Sequence, residues 1–121
     1  MKALLIVLSA VILFGPTPLP AVAGNITVTD VKELAGRWDG FERGSQVTTT
    51  LTVRDDGNYT AVGHGVNEGR MQLVEGRLLY DSALSSGTLR LEERDGKQFL
   101  ILSGTRKRGG FPVTGEYVRM K

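Results

Sequence analysis

The chain has 121 residues, with 15 Lys and Arg against 13 Asp and Glu, one His and no Cys. A balance this even supplies no broad positive field for nucleic acid. The missing cysteine removes disulfides, thiol nucleophiles and thiolate metal sites, so an exported domain of this size must be held by its core or by closing a sheet.

The first residues read as an export signal and not as part of the fold. Met1-Lys2 is a short positive start, Ala3 to Phe14 is apolar apart from Ser9, and Gly15-Pro16-Thr17-Pro18-Leu19-Pro20 stops any helix. Ala21-Val22-Ala23 then has the small-x-small form of a cleavage site. A membrane-spanning helix needs about 20 apolar residues, more than this run contains. Cleavage after Ala23 leaves Gly24–Lys121 as a single domain, periplasmic or secreted, with no membrane span and expected to be monomeric. Without Lys2 its charge balance is 14 basic to 13 acidic side chains.

Gly24–Val28 reads as a short extended leader. About one helical turn is expected over Thr29–Ala35, with Asp30 as cap, Glu33 three residues on, and Gly36 stopping the turn in a left-handed conformation. From there the sequence reads as short strands joined by tight, Gly-containing turns. Trp38–Arg43 is the first, and Gln46–Arg54 has the clearest period of two, with Val47, Thr49, Leu51 and Val53 on one face and Thr48, Thr50, Thr52 and Arg54 on the other. Asp55-Asp56-Gly57-Asn58 is a hairpin signal, which accounts for its acidic residues better than a calcium loop does. Tyr59–His64, Glu68–Val74, Arg77–Ser82, Thr88–Arg94, Lys97–Ser103 and Val113–Met120 follow, with turns expected at Gly65-Val66-Asn67, Glu75-Gly76, Ser85-Ser86-Gly87, Asp95-Gly96 and Arg106–Pro112. Nothing between them is long enough for a parallel crossover. The pattern predicts an all-β fold: an eight-stranded antiparallel up-and-down meander closing into a small barrel, preceded by one short helical turn. A two-sheet sandwich or a flattened, partly open barrel is the rival arrangement.

Leu34-Ala35-Gly36-Arg37-Trp38, after a helical turn and at the start of the first strand, resembles the Gly-x-Trp motif of lipocalins and related calycin barrels. The resemblance implies that Trp38 plugs one barrel end and that Arg119, in the last strand, packs across it. Gly36, Trp38 and Arg119 are then structural closers. The chain is shorter than true lipocalins and lacks their cysteines, and it looks more like small exported bacterial lipocalin-like domains. The Leu-Ala-Gly-x-Trp start also resembles the bacterial metalloprotease-inhibitor barrels. These act through an N-terminal segment, which would be Gly24-Asn25-Ile26-Thr27-Val28 here, although the disulfide of that family is missing.

No nucleophile motif accompanies His64, and no acid–base pair or metal-ligand cluster is visible, so neither catalytic residues, a metal nor a cofactor is expected. Val47, Leu51, Tyr59, Met71, Leu89, Leu91 and Tyr117 are the candidate ligand-lining residues inside the barrel, together with further inward positions such as Leu79. Small residues at Ala61, Gly63, Gly69 and Gly115 are expected to leave room near one end. Arg106, Lys107, Arg108 and Phe111 form the one local charge concentration, a candidate anion- or partner-binding loop. The expected function is non-enzymatic binding of a small apolar or amphipathic ligand. The alternative is a periplasmic protein-interaction module, such as a protease inhibitor with an envelope protein partner.

Overall fold

The computed structural model describes residues 24–121, and the expected export signal lies outside the described residues. The elements in chain order are β1 (Gly24–Ile26), a 3-10 turn (Val31–Leu34), β2 (Gly36–Glu42), β3 (Thr49–Val53), β4 (Asn58–Val62), β5 (Val66–Val74), β6 (Arg77–Ser82), β7 (Ser85–Arg94), β8 (Lys97–Arg106) and β9 (Pro112–Arg119). Each strand from β2 to β9 pairs antiparallel with the next. β9 then returns to β2, from Trp38 opposite Arg119 to Glu42 opposite Gly115. The fold is therefore the closed eight-stranded meander expected from the sequence, with no free edge along most of its wall.

Alternation sets the two faces. Leu51 and Val53 of β3, Tyr59 of β4, Met71 of β5, Leu89 and Leu91 of β7, Leu100 and Leu102 of β8, and Val113 and Tyr117 of β9 are all buried inside. In β6 the inward set is Leu78, Tyr80 and Ser82. Leu79, expected to face in, lies on the other face, where it lines a groove on the outer wall with Arg70 and Arg77.

Several boundaries differ from the sequence reading for local reasons. β3 begins at Thr49, because Gln46–Thr48 belong to a connection in which the Ser45 hydroxyl accepts from the Val47 N–H at 3.1 Å. Val47 is half-buried there and outside the strand. Ser85-Ser86-Gly87 is strand, not turn. The turn is Ala83-Leu84, fixed by the Ser82 hydroxyl, which accepts from the Leu84 and Ser85 N–H groups at 3.2 Å. Asp95-Gly96 and Glu75-Gly76 are two-residue hairpins with positive φ at both positions, the geometry that matches strand twist.

The leader has a partner that the sequence did not suggest. β6 covers β7 only as far as Leu89. Beyond that, β1 takes over the vacated edge, with Ile26, Asn25 and Gly24 opposite Leu91, Glu92 and Glu93.

One barrel end is sealed. Asp30 caps the 3-10 turn by accepting from the Lys32 N–H at 2.9 Å. Glu33 does not complete a capping box; its carboxylate accepts from the Thr29 hydroxyl at 2.9 Å. The turn ends before Gly36, with Ala35 already extended, so Gly36 opens the strand at φ +131° instead of stopping the helix. Leu34 and Trp38 are fully buried. The indole N–H of Trp38 donates to Leu34 O at 2.9 Å. The Arg119 guanidinium sits 4.3 Å from the indole centroid and donates to Ala35 O at 2.8 Å and Glu33 O at 2.6 Å. A side chain at Gly36 would crowd that guanidinium.

Trp38→Ala is expected to destabilise the fold by about 3–5 kcal/mol, the cost of truncating a large buried aromatic. Phe41→Ala, on the exposed face of the same strand, should stay within about 0.5 kcal/mol. Chemical denaturation midpoints of the two variants check the contrast, and equal midpoints would refute the plug.

Candidate functional site: the open mouth of the barrel

Four connections ring the end opposite Trp38: residues 43–48, 63–65, 83–84 and 107–111. Among the described residues no helical turn covers this end. The inner face of β2 runs from Trp38 through Gly40 to Glu42, so the same period of two that buries the plug brings a carboxylate to the mouth. Arg106, at the end of β8, reaches it with Nη2 at 3.2 Å from Glu42 Oε1. Ser45, Thr49, Ala61, His64, Asn67 and Leu84 join this pair around an open cleft of about 280 Å³.

The barrel interior below the mouth holds tyrosine. Tyr59, Tyr80 and Tyr117, all the tyrosines of the chain, are buried in the barrel interior. Each has glycine as a direct cross-strand neighbour: Tyr59 opposite Gly69, Tyr80 opposite Gly87, and Tyr117 opposite Gly40. A side chain at Gly69 would run into the Tyr59 ring, and one at Gly104 would strike the Tyr80 hydroxyl. The space expected to stand open beside Gly69 and Gly115 is therefore occupied by aromatic rings, whereas Ala61 and Gly63 do line the cleft.

The polar ends of these rings set the chemistry. The Tyr80 hydroxyl lies 3.1 Å from the Ser85 hydroxyl. Burial pushes the Tyr59 phenol up to about 12, partly offset by its hydrogen bond with Ser82 and reinforced by the charges of Tyr80, Asp81 and Glu42. Burial raises Tyr117 further, with Glu42 adding to the effect. Tyr80 moves the same way for the same first reason. Glu42 thus lies within electrostatic reach of all three phenols, and all three remain protonated hydrogen-bond donors. The mouth offers an ion pair and a small apolar margin at Val66 and Leu84. Among the described residues no three His, Asp or Glu side chains gather as a metal cage.

The expected lining residues Leu51, Tyr59, Met71, Leu89, Leu91 and Tyr117 are buried in the packed interior. None of them borders the cleft, and neither does Val47. Of the basic loop, Arg106 faces into the mouth, Lys107 pairs with Asp81 at 2.8 Å, Arg108 is exposed, and Phe111 is 67% exposed. Glu42, Ser45, Thr49, Asn67 and Leu84 were not singled out from the sequence. Counting inward positions from Trp38 would have found Glu42.

Because their folded-state pKa values are raised, the phenols stabilise the fold fully below their ordinary value of about 10, and this stability is lost as the pH climbs towards about 12, where Tyr59 ionises. Tyrosinate absorbance should stay silent to about pH 10 and rise only as the barrel opens, with the circular dichroism following the same curve. Early titration of one phenol would show an exposed ring. Gly69→Ala, which places a methyl group against Tyr59 and the Asp81 carbonyl, should cost about 1–3 kcal/mol of stability by overpacking, read from denaturant midpoints.

Compared with known proteins, the chain matches no family model, no curated protein sequence and no solved structure.

Proposed function

We propose that this chain is an exported, non-enzymatic, lipocalin-like barrel that binds a small amphipathic molecule at its open mouth. One observation carries the reading. The plugged end and the middle of the barrel are filled by Trp38, aliphatic side chains and three tyrosines, while the mouth holds a cleft with an ion pair at its wall and apolar residues at its margin. A long apolar tail has no interior room, which narrows the ligand from apolar or amphipathic to amphipathic. The polar part of the ligand faces Glu42, Arg106 and Asn67, and its apolar part rests against Val66 and Leu84. Pockets of this kind gain orientation from a few fixed polar groups and affinity from apolar contact.

The protein-interaction reading through the N-terminal leader draws less support. Gly24–Ile26 is paired along β7, so insertion into a partner would first have to break that ladder.

Native mass spectrometry of the protein isolated gently from its own host tests the proposal. The expected result is a small-molecule adduct that is lost in Ala61→Phe, which fills the cleft, and retained in Phe41→Ala on the outer wall. A bare mass, or an adduct that survives Ala61→Phe in a folded barrel, would overturn it.

A further inference from the structure

The connections at the two ends of the barrel differ in charge. The four connections at the open end contain Arg43, His64, Lys107 and Arg108 and not one carboxylate. The turns and termini of the plugged end contain Asp30, Glu33, Asp55, Asp56, Glu75 and Asp95 against Lys32, Arg54 and Lys121. The contrast belongs to the connections alone, because Arg77, Lys97 and Arg119 at the strand ends offset it on the plugged side.

The same rim carries exposed apolar side chains. Val66 is 73% exposed, Phe111 67% and Leu84 50%. Leu84 and the basic loop are joined by the Lys107 N–H, which donates to Leu84 O at 2.9 Å, so these groups form one surface. Lys107 is balanced by Asp81 and Arg106 by Glu42. Arg43 and Arg108 are exposed and have no carboxylate partner among the described residues.

Two cations without partners, beside protruding apolar tips, match the interfacial layer of an anionic bilayer, where phosphates meet acyl chains. An acidic protein surface would satisfy the cations but would leave Phe111 and Val66 without a partner of like character. We propose that the open rim docks on an anionic lipid surface, with Phe111, Leu84 and Val66 at the headgroup–acyl boundary and Arg43 and Arg108 on lipid phosphates. The inference stands independently of any ligand in the cleft. Docking in this orientation would present the mouth to the layer from which an amphipathic molecule is drawn.

The test is flotation of the barrel with vesicles of phosphatidylcholine alone and with vesicles containing one-third phosphatidylglycerol. Binding is expected only to the second, and it should vanish in molar salt as charges are screened. Arg43→Gln and Arg108→Gln should each weaken it roughly five-fold, whereas Arg54→Gln with Lys97→Gln at the plugged end should leave it unchanged. Phe111→Trp should show an emission blue shift on anionic vesicles, against the constant background of buried Trp38. Absence of vesicle binding by the folded protein would overturn the proposal, as would equal losses from plugged-end and rim variants. Binding to poly-glutamate without an emission shift on vesicles would reassign the surface to acidic polypeptides and overturn it equally.

Discussion

Three consecutive carbonyls, those of Glu33, Leu34 and Ala35, are held by two side chains: the indole of Trp38 and the guanidinium of Arg119. A helix end normally leaves its last carbonyls without intrahelical partners, and a single 3-10 turn cannot sustain itself in isolation. Here the turn is held because the first and last strands of the barrel reach across to it. Trp38 and Arg119 are cross-strand neighbours in the β2–β9 seam, so the contact that fastens the lid also closes the cylinder. Indole and guanidinium stack on each other, which lets a charged group sit over an apolar core while its N–H groups remain satisfied. Lid, seam and core are in this sense one interaction.

The interior follows from that closure. Eight strands enclose just enough space for side chains, and this barrel fills it unevenly. Aliphatic residues and the indole occupy the plugged half, and tyrosines occupy the middle. Glycines beside the rings, Gly69 at Tyr59, Gly104 at Tyr80 and Gly115 at Tyr117, leave the space that large residues need in a narrow cylinder. The hydroxyls tip this filling from apolar to polar on approaching the mouth, where Ser82, Ser85 and Glu42 take over. The gradient explains why a barrel of this strand number presents a shallow polar mouth and not a deep apolar calyx.

The fold was legible in the sequence because its signals are local. Alternation gave the strands, and Asp-Gly and Glu-Gly gave the hairpins, of which Asp95-Gly96 and Glu75-Gly76 adopt the conformation those residues favour. What could not be read depends on neighbours distant in the chain. The face taken by Arg77–Ser82 was ambiguous, since both alternations contain leucine, and the choice is settled by Tyr80 meeting Ser85 and Gly87. The pairing of the leader depends on how far β6 happens to extend along β7. The mouth was hardest, because its residues are individually ordinary. Ser45, Asn67 and Leu84 become a site only when two connections and the start of β5 converge, and two of the glycines read as empty space, Gly69 and Gly115, lie against aromatic rings.

An up-and-down barrel with an even number of strands returns the chain to the end from which it set out. Gly24 is fastened to the overhang of β7 and Lys121 follows directly on Arg119, so both leave the cylinder on the plugged side. Among the described residues the chain therefore enters and leaves the cylinder at one pole, a full strand length from the mouth, and the connections at the opposite pole are free of both crossings.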